Sequence, residues 1–174
     1  STGLPAEFGP TKNVVWKATL PAGYSSPIIS AGHIFVTAVE NDKLFTIALD
    51  LKTGVEKWRR ESPRSRKEKL DRRNGPASPS AVADGKNVFI FFPDFGLLSY
   101  DFNGKERWKT PLGPFNNIYG MGASPMLVGD KVILVCDQSS GSYIAAFEAA
   151  SGREVWRKAR PEAISGHSTP VLYQ

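Results

Sequence analysis

The sequence predicts an all-β fold, a β-propeller of four-stranded antiparallel blades, and three observations support this prediction. Two sequence markers recur in phase, with a period of about 48 residues. Each period contains four short runs of β-branched and aromatic residues, separated by Gly, Asn and Asp turns. No ten-residue segment shows a helical pattern of apolar residues. Four antiparallel strands per period of this length form one blade, which buries both faces only by stacking on its neighbours.

The first marker is a tryptophan followed by a basic residue. It occurs four times, at spacings of 42, 50 and 48 residues, with the tryptophans at Trp16, Trp58, Trp108 and Trp156. A glycine lies four residues before each of the last three, namely Gly54, Gly104 and Gly152. Glycine permits the positive φ of a tight hairpin turn. We therefore assign these residues a structural docking role, in which each glycine sets the place of the tryptophan that follows it and each indole fills a seam between blades. An aromatic sugar-binding platform is the alternative.

The second marker is a hydroxyl residue followed by proline, which opens a short apolar run. It occurs with prolines 52, 46 and 45 residues apart, at Ser26-Pro27, Ser78-Pro79, Ser124-Pro125 and Thr169-Pro170. Two independent markers with one period place blades at about 25–60, 78–110 and 123–159. A strand at 13–19 is expected to belong to the ring-closing blade, and a strand at 168–173 to start a fourth blade. We therefore expect 1–174 to be a single partial propeller, an incomplete ring of about three blades plus these two strands.

One stretch of the first blade carries a specific resemblance. The pattern A-x-D-x-x-T-G-x-x-x-W is formed by Ala48, Asp50, Thr53, Gly54 and Trp58. It resembles the repeat of the pyrroloquinoline-quinone-like (quinoprotein-type) β-propeller family, with its tryptophan-docking motif. The third blade departs at Glu148 and Ser151, and the second is one residue shorter between Asp101 and Gly104. The family contains quinoprotein dehydrogenases and non-enzymatic relatives such as the outer-membrane protein assembly lipoprotein. The resemblance covers nearly the whole chain. Within the family, the chain resembles the non-enzymatic, exported bacterial branch, which implies a periplasmic or otherwise extracytoplasmic location.

The resemblance does not bring the dehydrogenase chemistry with it. Quinoprotein alcohol dehydrogenases place adjacent cysteines beside the cofactor, hold calcium with Glu and Asn side chains, and use an Asp as base. This chain has one cysteine, Cys136, within an apolar run typical of a buried strand. No stretch matches the calcium ligands. We therefore expect no catalytic residue, no metal site, and no binding of pyrroloquinoline quinone or calcium by this chain.

Propeller sites form where loops converge on one face, and here one set of loops is long and chemically varied. Blade-to-blade connections lie at about 61–77, 110–122 and 160–167, whereas the opposite face has minimal Gly turns. The candidate ligand-binding residues on these loops are Arg73, Asn74, Asp94, Phe95, Asn116, Asn117, Tyr119, Asp137, Gln138 and His167. Amides and hydroxyls suit a neutral polar ligand, and Arg73 suits a carboxylate or phosphate. The alternative is that these side chains only stabilise their own loops.

The net charge of +5 is carried by one segment. Residues 59–73 contain eight basic and three acidic residues, whereas the other basic and acidic residues balance at fourteen each. No aromatic residue is interleaved there, so we do not expect specific nucleic-acid binding. A solvated loop is the favoured interpretation, and contact with an acidic partner or an anionic surface is the alternative. No run of apolar residues is long enough for a membrane span.

Together these features predict a quinoprotein-like scaffold that binds a protein or a small polar ligand on its loop-rich face, without catalysis. The alternative is a fragment of a pyrroloquinoline-quinone-dependent oxidoreductase whose catalytic blades lie outside this chain. Because the ring is expected to be open, we also expect contact with the remaining blades or with a second copy through the open ends. In that arrangement, strand 168–173 would pair with strand 13–19, and the apolar run Val132–Val135 would lie uncovered.

Overall fold

The computed structural model describes residue 3 and residues 5–173, which contain three four-stranded antiparallel sheets. Blade one comprises β1 (Ile28–Ser30), β2 (His33–Glu40), β3 (Lys43–Asp50) and β4 (Glu56–Ser62). Blade two comprises β5 (Val82–Ala83), β6 (Asn87–Phe92), β7 (Gly96–Asp101) and β8 (Glu106–Pro111). Blade three comprises β9 (Met126–Val128), β10 (Lys131–Cys136), β11 (Tyr143–Glu148) and β12 (Glu154–Ala159). Strands adjacent in sequence are adjacent in each sheet, the three sheets do not close into a ring, and no helix occurs among the described residues. The predicted fold class is confirmed.

The hydrophobic core lies in the seams between blades. Side chains alternate between the two faces of a strand, and β6 uses both faces. Val88, Ile90 and Phe92 pack against blade one, whereas Phe89 and Phe91 pack against blade three. All five side chains are fully buried. A strand covered on both sides needs no polar face, which explains the unbroken apolar run in β6.

Each blade has a β-bulge at the same place, directly before its tryptophan. The pairing of the third and fourth strands shifts between Ala48 and Leu49, and at the equivalent positions of the other two blades. The unpaired extra residues on the outer strands are Lys57, Arg107 and Val155. A bulge bends its strand and redirects the next side chain. The following tryptophan is thereby turned out of its own sheet and toward the next blade.

The tryptophans contact the glycine turn of the following blade. The Trp58 indole lies against Gly104, and its Nε1 donates to the Phe102 carbonyl at 2.8 Å. The same geometry recurs one blade later, where Trp108 lies against Gly152 and donates to the Ala149 carbonyl at 2.8 Å. Trp16 lies against Gly54 and donates to Leu51. A Cβ at any of these three glycines would lie within 2.8 Å of an indole carbon.

The role predicted for these glycines is therefore only half right. Their φ values of 71°, 80° and 72° fit the predicted turns. The indole that each glycine receives, however, belongs to the preceding blade and not to the tryptophan four residues later. The reason is that the bulge directs each tryptophan away from its own hairpin. The Trp156 indole contacts no glycine turn among the described residues and is 44% exposed, whereas Trp108 is 8% exposed.

The innermost strands are joined by a row of hydroxyl contacts. The amide of Ser26 donates to Ser80 Oγ at 2.8 Å, Ser80 to Ser124 Oγ at 2.9 Å, and Ser124 to Thr169 Oγ1 at 3.1 Å. Ser80, and not the predicted Ser78, is thus the blade-two equivalent of the second marker. Ser78 instead donates to the Gly75 carbonyl within its own loop.

The two flanking strands that we predicted are not formed. Residues 13–19 and 168–173 have no strand pairing, because a strand needs a backbone partner on a neighbouring strand. Residues 16 and 18 instead cover the apolar face of blade one. The Thr169 side chain accepts a hydrogen bond from the Ser124 amide, just before β9.

The run Val132–Val135 is buried and not uncovered as we expected. Val132 and Leu134 pack against blade two, since side chains alternate along β10. Exposed apolar side chains are found instead at Trp156, Ile164 and Leu172. Self-association through the open ends stays a prediction. No helix in the part of the chain that the structure describes is long and apolar enough to cross a bilayer.

Candidate functional site

Three successive connectors between blades meet on the loop-rich face. The Asp71 amide donates to the Tyr119 carbonyl at 3.2 Å, and Asn74 Nδ2 donates to the same oxygen at 3.0 Å. The Tyr119 ring lies 5.8 Å from the His167 ring. Residues that the sequence placed on separate loops are therefore brought together here, namely Arg73, Asn74, Asn117, Tyr119, Asp137 and His167.

The amides in this cluster hold the backbone in place. Asn117 is buried; its Nδ2 donates to the Asp137 carbonyl at 2.8 Å, and its Oδ1 accepts from the Tyr119 amide at 3.0 Å. Asn74 is engaged by the Tyr119 carbonyl and by the Gly75 amide. Both polar groups of the Tyr119 backbone are thereby fixed by neighbouring side chains. The Tyr119 side chain, in contrast, is 45% exposed.

Asp94 and Phe95 lie outside this cluster and are buried. The Asp94 carboxylate has no exposed surface; it accepts from Arg64 Nε at 2.7 Å and from the Glu68 amide at 2.9 Å. Arg64 also pairs with the exposed Asp42 of blade one. Asp94 is therefore part of an ion pair that links two blades, and its oxygens are not free for a ligand.

The basic segment 59–73 is not the solvated loop that we predicted. Arg66 donates to Glu68 and to the carbonyl groups of Pro93 and Leu112, and its guanidinium lies 5.5 Å from the Phe115 ring. Glu68 Oε1 in turn accepts from the Phe115 amide at 2.9 Å. The segment crosses the face of blade two and connects to the loop before blade three. Arg64, Arg66, Lys67 and Glu68 are thus engaged in ion pairs within the chain.

The acidic residue after β10 is also paired. Asp137 accepts two hydrogen bonds from Arg160, at 2.8 Å and 3.1 Å, and this interaction raises the pKa of the Arg160 guanidinium. Gln138 is buried; it accepts from the Asn116 amide and donates to the Gly141 carbonyl. Asn116 Nδ2 donates to Ser140 Oγ at 3.0 Å. These three candidates stabilise the loops on which they lie.

Arg73 is exposed and pairs with its neighbour Asp71 at 2.8 Å. The Arg73 guanidinium holds the pKa of Asp71 below its usual range, chiefly through this hydrogen bond. The adjacent Arg72 and Lys69 are exposed and have no ion pair in the described part of the chain. Cations thus remain available beside Tyr119 even though most of the segment is paired.

Several site residues were missed by sequence reasoning. Ile118, beside Tyr119, is 53% exposed, and an apolar residue at the tip of a polar loop was the available signal. The ion pairs of this face use residues that sequence reasoning left out, namely Arg64, Arg66, Glu68 and Arg160. Their signal was also present. An acid follows the second strand of every blade, and an arginine follows the outer strands β4 and β12 within two residues.

The described residues offer neither a cluster of metal ligands nor a reactive thiol. Within residue 3 and residues 5–173, no three His, Cys, Asp or Glu side chains lie close enough to share an ion. Cys136 is fully buried in β10, and desolvation raises the pKa of its thiol to about 12. The thiolate, the reactive form, is therefore scarce at neutral pH.

Comparison with known proteins bears on both the fold and the family. A family model described as outer membrane protein assembly factor BamB matches residues 8–172. The protein of that name from Bordetella pertussis is 32% identical over 85 residues, which cover 48% of this chain and 20% of the relative. The chain therefore spans about a fifth of the length of this curated relative.

Solved structures agree with the fold. BamB from Moraxella catarrhalis aligns with a TM-score of 0.60 at 17% identity, over 83% of this chain and 39% of that one. A europium-containing methanol dehydrogenase aligns with a TM-score of 0.63 at 18% identity, over 81% of this chain and 25% of that one. At these identities the likeness concerns the fold alone.

Proposed function

The chain belongs to the family of the outer membrane protein assembly factor BamB, and from this premise we propose that it is a protein-binding scaffold of the bacterial cell envelope. It acts outside the cytoplasm, carries no catalysis of its own, and engages its partner through the loop-rich face. Trp16, Trp58 and Trp108 serve the scaffold by docking on the glycine turn of the following blade.

One observation carries this proposal. The loop-rich face presents an exposed tyrosine and isoleucine on a loop whose backbone is held by side-chain amides. Tyrosine and arginine are enriched in protein-binding hot spots, and the exposed isoleucine adds apolar area beside them. The same contacts weaken the small-ligand alternative, because the Asn74, Asn117 and Gln138 amides already have partners within the chain.

Photo-crosslinking in the native cell tests this function. A photoreactive amino acid at Asn116 or His167, both exposed on the loop-rich face, is expected to give a discrete adduct with an envelope protein. The same amino acid at Lys52 or Lys86, exposed in hairpin turns of the opposite face, is expected to give none. Adducts of equal yield from both faces, or from neither, would refute the scaffold role of this face.

The residues of this chain do not fit pyrroloquinoline quinone with calcium. The single cysteine is buried, and three acids of this face, Asp71, Asp94 and Asp137, are each paired with an arginine. Titration with the quinone and calcium, followed by absorbance and tryptophan fluorescence, is expected to show no saturable binding. Calcium-dependent binding at one quinone per chain would instead support the oxidoreductase alternative.

A further inference from the structure

We infer that the loop-rich face recognises an acidic polypeptide segment that carries an apolar anchor, an inference that rests on the proposed function and names the partner's chemistry. The surface in question is formed by Arg72, Arg73, Ile118, Tyr119 and His167 and is called the axial patch below. It is the place where the connectors into blades two and three meet the segment that follows blade three.

The apolar part of the axial patch is exposed yet held rigidly. Ile118 and Tyr119 are 53% and 45% exposed, at the tip of the connector into blade three. The Tyr119 carbonyl accepts from Asp71 and Asn74, and its amide donates to Asn117. The connector continues through Gly120, where a Cβ would meet Leu70 at 2.4 Å. A loop fixed in this way loses little conformational entropy on binding, which favours affinity.

The charge of the surrounding loop selects the partner. Residues 69–73 contain three basic residues and one acid. The acid, Asp71, is used by Arg73, whereas Arg72 and Lys69 form no ion pair within the described residues. Both side chains are exposed and free of ion pairs in the described part of the chain, so they are available for complementary charge on a partner. An acidic segment with a Leu or Phe satisfies both the cations and the apolar tip.

A polypeptide fits the axial patch better than an anionic membrane does. Electrostatic membrane binding relies on clusters of about four to eight basic residues. Of the three basic residues in 69–73, only Lys69 and Arg72 have no ion pair within the described residues, since Arg73 pairs with Asp71. Arg64 and Arg66, earlier in the segment, pair with Asp94 and Glu68. The apolar part is a two-residue tip and not an amphipathic helix of the kind that lies in a membrane interface.

Fluorescence anisotropy with defined probes tests the inference on the 174-residue chain. The probes are a labelled peptide alternating Glu with Leu and Phe, one with Lys in place of Glu, and one with Ser in place of Leu and Phe. Vesicles of phosphatidylcholine with phosphatidylglycerol are measured by co-sedimentation. The first peptide is expected to bind most tightly, and its affinity is expected to fall as salt is raised.

Matched variants locate the binding surface. Ile118→Ser and Arg72→Glu are each expected to weaken binding of the first peptide about tenfold. Val55→Ser, at a similarly exposed turn of the opposite face, and Arg107→Glu, on the exposed side of β8, are expected to leave binding within about twofold. Circular dichroism confirms that all four variants stay folded.

Three outcomes would overturn the inference. They are equal losses in the patch and control variants, failure of the Glu peptide to bind more tightly than the Lys or Ser peptides, and stronger binding to vesicles than to peptide. If adducts still form from His167 in the cell, the scaffold function stands and only the acidic partner is wrong. If the peptide binds but no adduct forms, the axial patch stands and the cellular function is wrong.

Discussion

Replacing Trp108 with alanine is expected to lower the free energy of unfolding by about 3–5 kcal/mol, the range for truncating a large aromatic residue in a core. The indole fills the seam between blades two and three, where it lies 5.9 Å from the Phe89 ring and against Gly152. Its removal leaves a cavity and takes away the donor to the Ala149 carbonyl. Both changes weaken the packing of blade two against blade three.

Trp156→Ala is the matched control, because Trp156 occupies the same position in blade three but is 44% exposed. Its indole has no hydrogen-bond acceptor within the described residues, so the expected loss is below about 1 kcal/mol. Urea unfolding followed by far-ultraviolet circular dichroism measures both variants. Equal losses at the two positions would contradict a seam role for Trp108.

The blade repeat could be predicted from the sequence because it is encoded locally. Strand-forming runs, glycine turns and the two markers each report on a few neighbouring residues. The predicted blades at about 25–60, 78–110 and 123–159 begin and end within about four residues of the observed ones. The flanking strands at 13–19 and 168–173 failed for a different reason. Strand pairing depends on a partner backbone, which residue preference alone does not supply.

The seam contacts were only partly predictable. The tryptophans and glycines were recognised, but the direction of docking depends on a one-residue bulge at Lys57, Arg107 and Val155. The indoles were expected in the seam with the next blade, and Trp58 and Trp108 do lie there. A bulge has no strong residue signature, so the sequence did not show that each indole would contact the glycine turn of that next blade. The Ser78-Pro79 marker failed similarly, because Ser80, two residues later, makes the hydroxyl contact between inner strands.

The candidate site was predicted as a set of loops more accurately than as a set of side chains. Tyr119 and His167 do meet, as sites on converging connectors are expected to. Asp94 and Asn117 turned out to be internal partners, because a buried carboxylate or amide has to be satisfied by a nearby donor or acceptor. Whether a loop residue faces inward is a property of the assembled face. Segment 59–73 shows this, since its charge predicted solvation whereas its pairing buries Arg64 and Glu68.

The Arg64–Asp94 pair is the second contact on which the stability of this face depends. Asp94→Ala is expected to cost about 3–5 kcal/mol, the range for removing one partner of a buried ion pair. The substitution leaves the Arg64 guanidinium, whose side chain is 14% exposed, without its buried acceptor. It also leaves the Glu68 amide without the Asp94 oxygen that accepts from it. Since Glu68 positions the Phe115 amide, the loss reaches the connector that carries Ile118 and Tyr119.

Asp42 provides the matched control, because it pairs with the same arginine but is exposed to solvent. Asp42→Ala is expected to change stability far less, since exposed ion pairs are screened by water and salt. The double variant Arg64→Ala with Asp94→Ala is expected to be more stable than Asp94→Ala alone, because it removes the guanidinium that has lost its buried acceptor and keeps only the exposed Asp42 as a partner. Urea unfolding of the four variants, including Arg64→Ala, completes the thermodynamic cycle. A loss for Asp94→Ala no larger than that for Asp42→Ala would show that the buried pair does not hold the blades together.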